Sequence, residues 1–137
     1  RSYLEKSIFE FELNNVYFIE YQPRNGLSQY LAASDIGLVS LSPRIEGLAI
    51  PTKTHSYLAA GIPVLSIAAP HSELAELAKL NLGVHFSAGD TCGIIAFLES
   101  EISGSGRFQS QYIRTYFEEK LDRPHRTRHY CTLLSNL

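Results

Sequence analysis

The segment from Ile50 to Ile67 constrains the fold of this chain more than any other, because a polar loop, a helix, a tight turn and a strand follow one another there. Pro51 suits the first turn of a helix, since its φ angle is already helical and its missing N–H would be unpaired there. Gly61 can adopt the left-handed conformation that ends a helix. The run Val64–Ile67 is apolar and rich in β-forming residues. The segment therefore predicts a helix from Pro51 to the turn at Gly61, followed by a strand.

Short apolar runs alternate with helical stretches along the rest of the chain. Strands are predicted at 16–19, 36–41, 64–67 and 84–86, and further helices at 2–13, 29–34, 72–80, 92–100, 108–120 and 126–134. Asp90 is predicted as the N-cap of the helix that starts near residue 92. Strands that alternate with helices at this spacing favour βαβ units. The sequence therefore predicts an α/β, Rossmann-like parallel sheet with helices on both faces.

Composition excludes several classes of protein. The chain has 137 residues, 45% of them hydrophobic and 19% charged, with a formal net charge of −2, as expected of one soluble globular domain. The absence of a basic excess argues against a nucleic-acid partner. No apolar run approaches the ~20 residues that a membrane-spanning helix needs, and no signal peptide is evident. Cys92 and Cys131 are far apart and match no ligand spacing, so we expect two reduced thiols in a cytoplasmic protein.

The chain contains no methionine and begins with Arg1. A translated chain normally opens with methionine. We therefore expect these residues to be a processed, truncated or incompletely recorded part of a longer protein.

The start of the helix at Pro51 is a candidate anion site. Thr52 and Lys53 lie where unpaired backbone N–H groups and the helix dipole favour negative charge. In a doubly wound sheet, ligands bind at the carboxyl ends of the strands, which here means the loops at 21–24, 42–50 and 68–71. The alternative for Lys53 is an ordinary solvated lysine at a helix end.

Several motifs occur in a recognisable order between residues 16 and 67. They are Val16-Tyr-Phe-Ile, Tyr30-Leu-Ala-Ala-Ser-Asp35-Ile-Gly-Leu-Val, Glu46-Gly47, Pro51-Thr-Lys53 and Tyr57-Leu-Ala-Ala-Gly61-Ile-Pro63-Val. In this order they resemble the nucleotide-sugar-binding half of family 4 glycosyltransferases with the GT-B fold, especially members that build bacterial surface polysaccharides. The resemblance covers most of the chain and part of a complete enzyme.

In that family two Rossmann-like domains face each other across a cleft. The resemblance implies that residues 1–137 are a partial C-terminal, donor-binding domain without its first strand, and that the N-terminal acceptor domain is absent. We expect the missing strand to lie centrally, between the strands at Val16 and Val64, leaving two unpaired inner edges. The resemblance thus predicts that these residues fold stably only within a longer chain and are inactive alone.

The resemblance also implies which residues bind the donor. The backbone of Tyr21 and Gln22 would lie near the nucleobase, and Lys53 would meet the diphosphate. Glu46, with Gly47 and Leu48, would contact the transferred sugar. Ser56 stands where the family often has a glutamate that binds the ribose, and its spacing from Glu46 differs from the family's by two residues.

The implied reaction transfers a sugar from a UDP- or GDP-sugar to a hydroxyl of a saccharide or lipid-linked acceptor, with retention of anomeric configuration. This half would mainly stabilise the departing diphosphate. No Asp-x-Asp motif is present, so neither a metal nor another cofactor is expected, and no catalytic residue is assigned. The other implied partner is the N-terminal domain of the same enzyme. The expected location is the cytoplasm or the inner face of the membrane.

Each candidate has an ordinary structural alternative. Glu46 can be a simple loop carboxylate, and Ser56 can face neighbouring backbone. The isolated histidines at positions 55, 71 and 85 are typical of surface or hydrogen-bonded histidines. The basic cluster Arg123–His129 fits either a solvated helix face or contact with anionic lipid head groups. The rival to an enzyme is a non-catalytic α/β module that binds a partner or a nucleotide.

Overall fold

A small α/β unit forms the centre of the structure, which is a computed structural model. The structure describes residues 1–23, 26–42, 51–104, 106–122, 124, 127, 131, 132 and 135. The elements in chain order are α1 (Ser2–Glu10), α2 (Leu27–Ala32), β1 (Gly37–Ser40), α3 (Thr52–Ala59), β2 (Val64–Ile67), α4 (Glu73–Lys79), β3 (Gly83–Phe86), α5 (Thr91–Ile102) and α6 (Ser110–Tyr116). A π-helical turn, Phe117–Leu121, continues α6.

The three described strands form one parallel sheet in the order β1-β2-β3. Gly37 is in register with Val64, and Val64 with Gly83. Helices cover both faces, because α3, α4 and α6 pack with Val64 on one face, and Phe97 of α5 packs on the other. The predicted α/β class with a parallel sheet is therefore confirmed.

Local signals in the sequence set several element boundaries. The Ser72 side chain accepts a hydrogen bond from the Ala75 N–H and caps α4, and Asp90 accepts from the Gly93 N–H and caps α5 as predicted. Gly61 has a φ of +76°, and a Cβ at this position would run into Ser110. The turn between α3 and β2 thus requires the predicted glycine.

Two helix boundaries differ from the prediction. Pro51 precedes α3 as its N-cap, with φ −62° and ψ 118°, instead of forming the first helical residue. Its φ is still the one that the ring imposes, so the difference lies in ψ alone. The helix predicted at 108–120 is divided into α6 and the π-helical turn. The helix predicted at 126–134 lies mostly outside the described residues.

The strand predicted at Val16–Ile19 is wrong. The segment forms no ladder with another described strand, and all four residues are exposed. Its contacts lie within the first region of the chain: the Tyr17 hydroxyl donates to the Asn14 carbonyl over 2.8 Å, and the Arg1 guanidinium lies 5.4 Å from the centre of the Phe18 ring. Without a neighbouring strand to supply hydrogen bonds, high β propensity does not produce a strand.

In the described sheet, the strand at Val64 has no unpaired edge. β1 pairs directly with β2, since the Gly37 and Leu41 N–H groups each donate over 2.9 Å to the carbonyls of Pro63 and Ile67. β3 fills the other side of β2, so both edges of β2 are occupied. Among the described residues, the sheet therefore ends on one side at the outer edge of β1.

Candidate functional site

A cleft lies where the carboxyl end of β1 meets the start of α3. Its volume is about 340 Å³, and its described lining consists of Leu38–Leu41 and Pro51–Lys53. This is the end of a parallel sheet at which α/β folds bind their ligands. The structure thus brings Lys53 to the strand end as the sequence predicted.

The position of α3 over β1 follows from close packing. A Cβ at Gly37 would overlap the ring of Tyr57, so the absence of a side chain lets α3 approach the strand. Leu58, one residue further along α3, is 1% exposed and packs in one cluster with Val39 and Val64. These contacts fix the start of α3 relative to the end of β1.

The cleft suits an anion. The first N–H groups of a helix have no carbonyl partner within it, and in α3 these belong to Thr52 and Lys53. The first turn of α3 contains no acidic residue, so no carboxylate of that turn offsets the helix dipole. The Lys53 side chain is exposed. A phosphate in the cleft would therefore meet free backbone donors together with an accessible ammonium group.

Ser56 lies one turn after Lys53 on α3. Residues three apart in a helix are neighbours on its surface, but Ser56 is half-buried and is not part of the described lining of the cleft. Its backbone carbonyl accepts a hydrogen bond from the Ala60 N–H over 3.2 Å. The structure therefore places Ser56 one turn beyond Lys53 on α3 and outside the described lining of the cleft.

Tyr21 and Gln22 are not brought to this site. Tyr21 is 91% exposed, and the Gln22 side chain donates to the Glu20 carbonyl over 2.9 Å. Neither residue belongs to the described lining of the cleft. Tyr21 and Gln22 were expected to follow a strand of the sheet, but the segment before them, Val16–Ile19, is not part of the described sheet. Glu46, Gly47 and Leu48 lie outside the described residues.

A larger cavity, of about 810 Å³, opens at the opposite end of the sheet. It lies beside the segments that lead into β1 and β2, and its lining includes Asp35, Pro63, Glu101 and Phe108. None of its described lining residues is a lysine or an arginine, and two are acidic. By size alone, this cavity would be the better ligand site, but its acidic side chains disfavour the binding of an anion. For a phosphate group the smaller cleft is the better candidate.

A hydrogen-bonded pair between β2 and β3 was not recognised in the sequence. The Ser66 hydroxyl lies 3.0 Å from His85 Nδ1 and 3.1 Å from the Val84 carbonyl, while the buried His85 Nε2 has no partner among the described residues. We assign the proton to Nδ1, which donates to Ser66, because an unpaired acceptor is easier to bury than an unpaired N–H. Burial lowers the pKa of His85. The pair stabilises the sheet and lies outside the cleft.

Other chemistry is sparse in the described part of the chain. No three His, Cys, Asp or Glu side chains there are grouped closely enough to hold a metal ion. Both cysteines are exposed and unpaired with each other. Every described helix is too short or too polar to cross a lipid bilayer.

No protein-family model, curated protein or solved structure matches this chain.

Proposed function

We propose that this protein is the donor-binding half of a retaining glycosyltransferase and that the cleft between β1 and α3 holds the diphosphate of a UDP- or GDP-sugar. One observation carries the proposal: Lys53 and the first turn of α3 lie at the carboxyl end of β1, and that turn contains no acidic residue. A diphosphate concentrates negative charge, which matches both the free N–H groups and the ammonium. The order of motifs in the sequence supports the same function.

The reaction breaks the bond between the anomeric carbon of the sugar and the diphosphate oxygen. That oxygen gains charge as the bond breaks, so donors fixed at the start of α3 stabilise the transition state more than the ground state. The anomeric carbon bonds to an acceptor hydroxyl oxygen, whose proton leaves with the diphosphate or a base. The acceptor is a saccharide or a lipid-linked saccharide, held by the N-terminal domain of the same enzyme.

The other proposed donor contacts come from the resemblance in the sequence. Ser56, one turn beyond Lys53 on α3, is the proposed partner of the ribose. Glu46, with Gly47 and Leu48, is proposed to meet the transferred sugar. Tyr21 and Gln22 are left out of the proposed site, because the segment before them does not join the described sheet. We place the enzyme in the cytoplasm or at the inner face of the membrane.

Calorimetric titration of the complete polypeptide with UDP and GDP tests the proposal. Lys53→Ala removes a charge-assisted hydrogen bond and is expected to weaken binding of the preferred nucleotide by about 10-fold or more. The matched control is Lys79→Ala, since Lys79 is an exposed lysine of α4 that pairs with Glu76 over 2.6 Å, away from the cleft. A folded protein that binds neither nucleotide would contradict the donor-binding function. Equal affinities of the Lys53→Ala and Lys79→Ala variants would remove Lys53 from the site.

A non-catalytic interaction module is the second candidate. It is favoured by the exposed apolar side chains of α1 and the following segment, among them Phe9, Phe11 and Tyr17, because exposed apolar patches often mark protein interfaces. The same titration separates the two candidates, since an interaction module of this kind has no need to bind a nucleoside diphosphate.

A further inference from the structure

Three helices end beside the large cavity at the amino ends of the strands. In a parallel sheet whose helices run back along the strands, helix N-termini lie at the carboxyl ends of the strands and helix C-termini at the amino ends. The described lining of the cavity includes the ends of α2, α3 and α5 or the residues that follow them, which are Leu31–Ala33, Ala60–Gly61 and Glu101–Ile102. Three helix C-termini therefore meet at one cavity.

The charges around this cavity are negative. Each helix C-terminus carries roughly half a negative charge, and none of α2, α3 and α5 has a basic residue in its last turn. The carboxyl groups of Asp35 and Glu101 belong to the same lining. Arg107 stands between two lining residues in the sequence but is not part of the described lining, and its guanidinium lies 5.5 Å from the centre of the Phe108 ring. The described lining therefore attracts a positive charge and supplies none itself.

The walls of the cavity are largely apolar, and part of this surface is open to solvent. Ile62 is 3% exposed, whereas Leu98 is 38% exposed and Ile102 is 86% exposed. A ligand with an apolar body would remove the last two side chains from water. A metal ion would use none of this surface, and the described residues include no group of three His, Cys, Asp or Glu side chains suited to one. The lining therefore suits an organic cation better than a metal ion.

Two contacts fix the shape of the cavity. The Ser110 hydroxyl donates to the Gly61 carbonyl over 2.8 Å, which joins the start of α6 to the turn after α3. The Phe108 ring packs edge-on against Phe97, with 6.4 Å between the ring centres, and this contact ties one wall to the core on that face of the sheet. The volume of about 810 Å³ lies within the usual range of small-molecule sites. The cavity is thus formed before a ligand enters it.

We propose that this cavity is a second binding site, which takes a small organic cation. Its ammonium or guanidinium group lies at Asp35 and Glu101, where carboxylates form charge-assisted hydrogen bonds. Its apolar body covers Leu98 and Ile102, so that burial of apolar surface adds to the affinity. The site does not rest on the proposed function, because the cavity and the nucleotide cleft lie at opposite ends of the sheet.

Amide NMR of the complete polypeptide encoded by the gene, titrated with three probes, tests this proposal. Phenethylamine, which is protonated at neutral pH, has both the positive charge and an apolar body. Hydrocinnamate has a similar body with the opposite charge, and ammonium chloride has the charge without the body. We expect saturable shifts centred on Asp35, Gly61–Pro63 and Glu101, and an affinity for phenethylamine at least about 10-fold above that for hydrocinnamate.

Three results of this titration would overturn the proposal. The first is a folded protein in which phenethylamine causes no saturable shift at the cavity. The second is equal affinity for phenethylamine and hydrocinnamate, because the charge would then have no role. The third is an equal response to ammonium chloride, because the apolar body would then have no role.

Substitutions of the two acidic residues give a second readout. Asp35→Asn and Glu101→Gln each remove a carboxylate at nearly constant shape, and both residues are at least partly exposed. Each change is expected to weaken phenethylamine binding by about 2- to 5-fold, and the two together by about 10-fold. Glu99→Gln is the control, since Glu99 is an exposed residue of α5 outside the described lining. Equal affinities of the folded double variant and the control would overturn the proposal.

Failure of this proposal and failure of the proposed function are distinguishable. Phenethylamine is titrated without nucleotide, whereas the proposed function depends on binding of UDP or GDP at α3. A protein that binds phenethylamine at the cavity but neither nucleotide would keep the cation site and reject the transferase. A protein that binds a nucleotide at α3 but no phenethylamine would do the reverse.

Discussion

Two apolar runs of similar composition adopt different secondary structure in this molecule. Val16–Ile19 and Gly37–Ser40 both contain β-branched or other large apolar residues, and both were predicted as strands. Gly37–Ser40 pairs with β2 and buries Val39, whereas Val16–Ile19 joins no described strand and is exposed. The comparison shows that β propensity permits a strand, while a neighbouring strand with free backbone groups is needed to form one.

The same contrast separates two larger regions. The described residues between 1 and 33 include no buried residue, whereas residues 36–122 contain the whole described core. The large apolar side chains exposed in the first region are Tyr3, Leu4, Phe9, Phe11, Leu13, Val16, Tyr17, Phe18, Ile19, Tyr21, Leu27 and Tyr30. The first region has a hydrophobic sequence but makes no core of its own.

Truncation of a large apolar side chain gives the strongest test of this contrast. Leu58→Ala removes a side chain that is 1% exposed in the core between α3 and the sheet, and is expected to lower the free energy of unfolding by about 2–5 kcal/mol. Phe9→Ala changes a side chain that is 86% exposed, with an expected cost below about 0.5 kcal/mol. Urea denaturation of the complete polypeptide measures both. Similar losses for the two variants would show that the first region has a core as well.

A comparison of two serines is expected to give a change of intermediate size in the free energy of unfolding. The Ser66 hydroxyl is buried between the Val84 carbonyl and His85 Nδ1, so Ser66→Ala leaves buried polar groups unpaired and should cost about 1–3 kcal/mol. The Ser34 hydroxyl bonds to the Tyr30 carbonyl over 2.9 Å at the surface, where water replaces the lost bond. Ser34→Ala should therefore cost less than about 0.5 kcal/mol. If denaturation ranks the two variants in the opposite order, the buried pair does not stabilise the sheet.

The smallest effect is a dependence of stability on pH that arises in the sheet. Desolvation lowers the pKa of His85 below its ordinary value of 6.5, because a second proton would place a buried N–H at Nε2 without an acceptor. As the pH falls below about 6.5, the unfolded chain binds this proton more readily than the folded chain, so the free energy of unfolding decreases. The full contribution is present above that pH.

His85→Gln isolates this effect. The variant cannot bind the proton, so its unfolding free energy should fall less steeply between about pH 6.5 and 5 than that of the unmodified chain. The first 33 residues contain no histidine, so the same experiment assigns the dependence to the sheet region. Identical slopes for the two proteins would exclude His85 as its source.

Local signals account for most of what the sequence predicted correctly. Gly61, Ser72 and Asp90 define turns and helix starts through their own backbone or side-chain chemistry, and such signals are visible within a few residues. Each of the three strands in the sheet was predicted within one or two residues, because its apolar run is bounded by turn residues.

The errors concern relations between distant segments. Whether Val16–Ile19 joins the sheet, and which strand stands beside Val64, depend on pairing partners that no local pattern specifies. The Ser66–His85 pair was missed for the same reason, since it requires the register between β2 and β3. Lys53 was located from the helix start that precedes it, whereas Tyr21 and Gln22 were located from a strand that does not form.

The central claim is that the start of α3 holds a nucleoside diphosphate, and amide NMR during a UDP or GDP titration of the complete polypeptide tests it most directly. We predict saturable shifts concentrated at Ser40, Leu41 and Thr52–Thr54, which surround or adjoin the cleft at the carboxyl end of β1. Shifts centred on Asp35 and Gly61–Pro63, beside the larger cavity at the other end of the sheet, would contradict the claim. A folded protein whose spectrum neither nucleotide changes would contradict it as well.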